Sequence, residues 1–272
     1  MAKKYLLVGI NNYPGTGSDL QGCLNDVADG KSTLTAKSMN DPTARSHVNN
    51  VVDAAGTLRG LGFTGSTLTN SQATRANILT KLKSLVANAK PGDSIVFYYS
   101  GHGSQVRDAS GDESDGWDEV ICPCDWPRYV SDDDFRTILA KAKQDVTIDV
   151  ILDACHAGTG TREIDRPYTI RALPPIIGKV SKRGQKSRAI SLVPGARSCL
   201  WAACADGQTS AELSIGGKIR GAFSHYFWQD VRAGGTRSQI MADVCQKIVA
   251  LGLDQVPQLE ATEAETLEAA FT

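Results

Sequence analysis

The chain predicts an α/β fold in which a mostly parallel sheet is sandwiched between helices, and three observations carry that expectation. Near-continuous apolar runs rich in β-branched and aromatic residues read as strands covered on both faces. Segments that repeat apolar residues every three or four positions lie between them, so helices alternate with strands. Residues able to do chemistry follow directly on two of the strands, and open parallel sheets hold their ligands just beyond strand carboxyl ends. In chain order, KYLLVGI over 4–10 predicts the first strand. VNNVVDAAGTLRGLGF over 48–63 and RANILTKLKSLVANA over 75–89 predict helices, the second stopped by Pro91 and Gly92 ahead of the strand SIVFYYS over 94–100. DDDFRTILAKAKQ over 132–144 has acids in its first turn and lysines in its last, which suits a helix dipole. TIDVILDA over 147–154 and CLWAAC over 199–204 are further strands, and helices over 225–234 and 238–253 complete the set.

Composition bounds the function. The 272 residues are 41% apolar and 22% charged, an ordinary globular balance that allows a substantial core. Lys and Arg total 29 against 30 Asp and Glu, so no overall field recruits nucleic acid or an anionic membrane. The apolar run ending at Ile10 is too short to span a bilayer and lacks a small-residue cleavage site, so the chain reads as cytoplasmic. Seven cysteines, an odd number without a C-x-x-C pair, argue against a disulfide framework or a zinc knuckle. The stretch 157–197 holds nine Lys or Arg against only Glu163 and Asp165, and without clear periodicity it predicts an exposed connection. It lacks interleaved aromatics beyond Tyr168, which disfavours a nucleic-acid role.

Two strand ends stand out: Ser100-Gly101-His102-Gly103 and Asp153-Ala154-Cys155-His156. If their strands are neighbours, His102 and Cys155 emerge on one sheet edge, where an imidazole can activate a thiol that is mostly protonated at neutral pH. The glycines around His102 would let the chain turn sharply and aim backbone N–H groups at a reacting carbonyl, with Gly103 and Cys155 as oxyanion donors. Taken singly, a histidine after a strand or a buried cysteine is usually structural. The 53-residue separation, however, matches the roughly 50-residue spacing of the caspase signature, with Asp153-Ala154-Cys155 at the place of Gln-Ala-Cys. His156 should face away from whatever Cys155 faces, because adjacent strand residues point to opposite sides.

At these residues the sequence resembles the metacaspases and their prokaryotic relatives, the orthocaspases. The resemblance is carried in order by LQGCLNDV (20–27), FYYSGHGSQ (97–105), GDESDGWDEVICPCD (111–125), VSDDDF (130–135), ILDACHAG (151–158), CADGQTSAE (204–212) and GAFSHYF (221–227). It implies a caspase-like fold with a six-stranded sheet: a p20-like part over about 1–160, a basic loop over about 160–197 and a p10-like part over about 198–272. It further implies a cysteine endopeptidase with a His102–Cys155 dyad, cutting peptides after Arg or Lys as a monomer. Asp153 gives that preference a physical ground, since a carboxylate there repels acidic side chains and pairs with a guanidinium. By resemblance the pocket also draws on Asp26, with Cys23 and Ser100 on its walls, while Asp26 could equally cap a helix after Asn25.

No cofactor is needed for this chemistry, but the family's calcium (Ca2+) binders direct attention to Asp118, Asp132 and Asp133. The family's fourth aspartate falls where this chain reads Thr161-Arg162-Glu163, and an EF-hand alignment on Gly116 fails at Gly111 and Cys122. The competing reading is a solvated loop plus helix-dipole acids. Lys179, Lys182, Arg183, Lys186 and Arg188 are among the self-processing sites the 160–197 loop would offer. Residues 30–47 look like an insertion at the rim of the site. No long arm precedes the first strand, so regulation by one is not expected. Nucleotide binding is disfavoured because G-x-G-x-x-G would need glycine at Leu20. Two rivals remain: a catalytically silent scaffold of the same fold, and a clan relative cutting after Asn or Asp.

Overall fold

The computed structural model describes residues 1–27, 54–107, 117–155, 168–174, 197–205 and 208–271. In chain order its elements are β1 (Lys3–Gly9), α1 (Cys23–Val27), α2 (Ala54–Gly60), β2 (Thr64–Thr69), α3 (Arg75–Asn88), β3 (Ser94–Ser100), β4 (Gly103–Arg107), β5 (Trp117–Ile121), β6 (Val130–Ser131) and α4 (Asp132–Leu139). There follow β7 (Thr147–Asp153), β8 (Thr169–Ile170), β9 (Arg197–Ala202), β10 (Ala211–Ile215), β11 (Lys218–Gly221), α5 (Ala222–Ala233), α6 (Arg237–Ala250), β12 (Gln258–Glu260) and α7 (Glu263–Thr266).

The main sheet has six strands in the order β12-β9-β7-β3-β1-β2, parallel except for β12. Its period-two alternation divides the apolar residues between two cores. Leu6, Val8, Phe97, Tyr99, Val150 and Leu152 pack on one face with Ile78 and Leu82 of α3 and Phe135 and Ile138 of α4. Tyr5, Leu7, Val96, Tyr98, Ile151 and Trp201 pack on the other with Leu58 of α2, Phe227 and Trp228 of α5 and Val244 of α6. Every residue of β3 is buried, as a central strand between two helical layers requires. The apolar runs therefore locate β1, β3, β7 and β9 to within a few residues.

Where expectation and structure differ, the cause is local. The helix expected over 132–144 ends at Leu139, the last of its buried apolar positions, and its start is fixed by Ser131, whose hydroxyl accepts the Asp134 N–H. Of the helix expected over 48–63, residues 54–60 are described and helical. β2 reads TGSTLT, too polar to signal a strand, because it forms a sheet edge with one neighbour. Asp26 lies inside α1 and does not cap it, since its carboxylate is drawn into the site described below. Residues 30–47, His156, Lys179, Lys182, Arg183, Lys186 and Arg188 lie outside the described residues. Among the described residues no helix is long and apolar enough to cross a membrane.

Candidate active site

β3 and β7 are parallel neighbours in a register that places Ser100 opposite Asp153. The loop tips that follow, His102 and Cys155, thus leave the sheet at one edge. Both are buried. Two tyrosines fix the histidine. Tyr99 donates its hydroxyl to the His102 carbonyl at 2.7 Å, and the His102 N–H donates to the Tyr13 hydroxyl at 2.8 Å. Gly101 is required between them, because a Cβ there would lie 2.5 Å from the Tyr13 hydroxyl and closer still to that of Tyr99. The imidazole is oriented by a backbone carbonyl, with Nε2 2.6 Å from the Ser18 oxygen, and Nδ1 has no hydrogen-bond partner. Burial, reinforced by the nearby Arg171 charge, lowers the His102 pKa to about 4, against the opposing pull of the Ser18 carbonyl. The ring is neutral at physiological pH.

A resident segment, 168–174, crosses this site in extended form. Thr169 and Ile170 pair antiparallel with Glu212 and Ala211 of β10, and the Arg171 N–H donates to the Ser210 carbonyl at 3.1 Å. The Arg171 carbonyl then accepts from two N–H groups, Gly103 at 3.0 Å and Cys155 at 3.1 Å. These are the two donors expected of an oxyanion hole. Downstream, Ala172 pairs with Gly103 and the Leu173 N–H donates to the Gly103 carbonyl at 2.9 Å. The Cys155 sulfur receives the Ser210 N–H at 2.6 Å. Contact with Cys155, together with burial, raises the pKa of Cys204, which keeps that second thiol protonated.

The Arg171 side chain, fully buried, fills an acidic pocket. Its guanidinium lies 2.7 Å from Asp26, 3.0 Å from Asp153 and 3.5 Å from Glu212, and it donates to Ser100 Oγ at 2.7 Å. Burial works against its charge, and the surrounding carboxylates outweigh that, so its pKa rises. Cys23 lies beside Asp26, Arg171 and Ser100, and burial pushes its thiol up, so it serves as a neutral wall. Asp153, at the end of β7, also accepts from Ser210 Oγ at 2.6 Å and from the Ser224 N–H in the first turn of α5 at 3.2 Å, where a helix amino terminus favours negative charge. Gly221 leaves the space the guanidinium occupies: a Cβ there would lie 2.7 Å from Arg171 Nη1 and closer still to Asp153.

The structure thus gathers His102, Gly103, Cys155, Asp26, Asp153, Ser100 and Cys23 around one residue. Sequence reasoning missed Glu212, Arg171, Tyr13 and Tyr99. Glu212 ends the CADGQTSAE motif and takes the Gln21 and Gly22 N–H groups at 2.9 and 3.0 Å, which binds the loop before α1 to the pocket. The metal candidates stand on β5 and in the first turn of α4. Asp132 and Asp133 share Arg136 at 2.8 and 2.5 Å, and Asp118 stands on β5 opposite Val106. Among the described residues no group of three His, Cys, Asp or Glu side chains is placed to hold a metal ion. A hollow of about 640 Å³ lined by Tyr5, Lys81, Leu85 and Asp93 lies at the amino ends of the strands, away from this chemistry.

Burial raises the Asp26 pKa to about 6, against the pull of Arg171 and Ser100. Acidification through that value therefore removes one negative charge facing a bound cation. The expected result is a weaker hold on a small guanidinium compound as pH falls through about 6, measured as its apparent Kd between pH 5 and 8.

Sheet order and strand-end placement define the class of fold, a caspase-like α/β domain. Over its whole length the chain superposes on 99% of a Geobacter sulfurreducens protein of known crystal structure, with a TM-score of 0.68 at 24% identity. Over 95% of its length it superposes on 86% of caspase-1 from Spodoptera frugiperda, with a TM-score of 0.52 at 14% identity. The family model for the metacaspase, peptidase C14 domain matches residues 3–162. Metacaspase-1A of Aspergillus fumigatus is 31% identical over 96% of this chain and 68% of its own length. Metacaspase-1 of Ajellomyces capsulatus is 31% identical over 96% of the chain and 80% of its own length. The chain belongs to the metacaspase family, and its activity is that of a cysteine-type endopeptidase.

Proposed function

We propose that this metacaspase cuts peptide bonds after Arg or Lys, using Cys155 as nucleophile and His102 as its acid–base partner. The observation that carries the reading is Arg171: its guanidinium fills the Asp26–Asp153–Glu212 pocket while its carbonyl sits between the Gly103 and Cys155 N–H groups. A substrate residue before the cut would take the same place. His102 Nδ1 accepts the Cys155 thiol proton as sulfur attacks the carbonyl carbon, and the oxyanion forms against the two N–H groups. The imidazolium then protonates the leaving amine, and water, deprotonated by the same ring, hydrolyses the thioester. In the resident state the segment 168–174 blocks the cleft and offers its own Arg171–Ala172 bond for self-processing, within the basic connection.

A fluorogenic peptide panel varying the residue before the cut tests the specificity. Arg and Lys peptides should be hydrolysed by the wild type and not by Cys155→Ala or His102→Ala. Preferred cleavage after Asp or Asn would replace this reading with that of a clan relative. Absence of hydrolysis across the panel would favour the scaffold.

A further inference from the structure

The resident segment also passes beyond the aligned bond, and the residues it meets there form a second recognition element. An extended chain points alternate side chains to one side. Within 168–174 the two buried side chains are Arg171 and Leu173, whereas Thr169 and Pro174 are exposed. Leu173 is 1% exposed and joins the apolar cluster that contains Ile121, Cys122 and Ala154. Its backbone is held on both sides: its N–H donates to the Gly103 carbonyl at 2.9 Å, and its carbonyl accepts from Ser104 Oγ at 3.1 Å. The same hydroxyl lies 3.0 Å from the Pro174 carbonyl. Ser104 is itself fully buried, so its side chain is committed to this contact.

We infer that the enzyme recognises an apolar residue, of about the size of leucine, at the second position after the cut, with Ser104 as the positioning residue that holds the chain there. This rests on the reading that Arg171 occupies the place of the substrate's basic residue. When a substrate displaces the segment, Leu173 leaves with it, and the vacated apolar hollow takes the corresponding substrate side chain. The preferred substrate is then a basic residue, the cut, any small residue and an apolar residue. Upstream residues contribute mainly through backbone pairing to β10, as exposed Thr169 does.

Internally quenched peptides built on Thr-Ile-Arg-Ala-Leu-Pro, with Leu replaced by Gly or Asp, test this on the full chain alongside an Ile-Arg aminocoumarin that has nothing after the cut. The Leu peptide should exceed the Gly peptide about tenfold or more in kcat/KM, the effect of burying one large aliphatic side chain, and should exceed the Asp peptide further. Ser104→Ala should lower the ratio of the Leu peptide to the aminocoumarin about fivefold through KM, the effect of one neutral hydrogen bond. Equal rates for Leu, Gly and Asp peptides would overturn the inference while leaving cleavage after Arg intact. An unchanged ratio in Ser104→Ala would overturn the role of Ser104. Failure to cleave any of these, the aminocoumarin included, would overturn the underlying specificity as well.

Discussion

Arg171→Ala should unfold at a markedly lower temperature than the wild type at neutral pH, and a small guanidinium compound such as benzamidine should restore much of the loss. The pocket holds Asp26, Asp153 and Glu212 around this one guanidinium, all of them buried. Removing one partner of a buried ion pair leaves its charge uncompensated and costs roughly 3–5 kcal/mol. A ligand that binds the folded pocket and not the unfolded chain stabilises in proportion to the logarithm of its concentration over Kd. Differential scanning calorimetry with and without benzamidine reads both effects. Recovery by benzamidine but not by benzyl alcohol would establish that the pocket accepts a free cation. The same substitution removes the chain's own residue from the cleft, so hydrolysis of added arginine peptides should rise.

Asp153→Asn should lower kcat/KM for arginine peptides by two to three orders of magnitude, corresponding to roughly 3–4 kcal/mol for a broken buried charge pair. Asparagine keeps the shape and, with its oxygen in the Oδ1 place, can still accept from Ser210, so β7 retains its end. What it loses is the charge 3.0 Å from the guanidinium, and its amide would turn a donor toward a group that has only donors. The loss should appear chiefly in KM. A variant with wild-type kinetics would show that Asp153 serves packing alone.

Much of this site was legible before any coordinates. β3 and β7 announce themselves as apolar runs because both faces are covered, and their ends carry Ser100, His102, Asp153 and Cys155 within a few residues. Asp26 was legible through its motif. Glu212 was harder to see, because its partners Gln21 and Gly22 lie 191 and 190 residues away and no local pattern records that pairing. Arg171 was invisible for a different reason: it is one of nine basic residues in a stretch without periodicity, and nothing local distinguishes it from Lys179 or Arg183. Only the pairing of Thr169 and Ile170 with β10 sets the register that brings it to the pocket. Tyr99 reads as a core residue of its strand, and it is; its hydroxyl and that of Tyr13, turned to the His102 backbone, are what the sequence conceals. β2 and β12 escaped notice because an edge strand needs few apolar residues.

The central claim is that Arg171 stands where a substrate's basic residue stands, with its carbonyl presented to Cys155. Intact-mass analysis of purified wild type and Cys155→Ala after timed incubation tests it most directly. The account expects a new fragment beginning Ala172-Leu173-Pro174 that appears in wild type and is absent from Cys155→Ala. A first cut elsewhere in the basic connection, or the same fragment from both proteins, would contradict it.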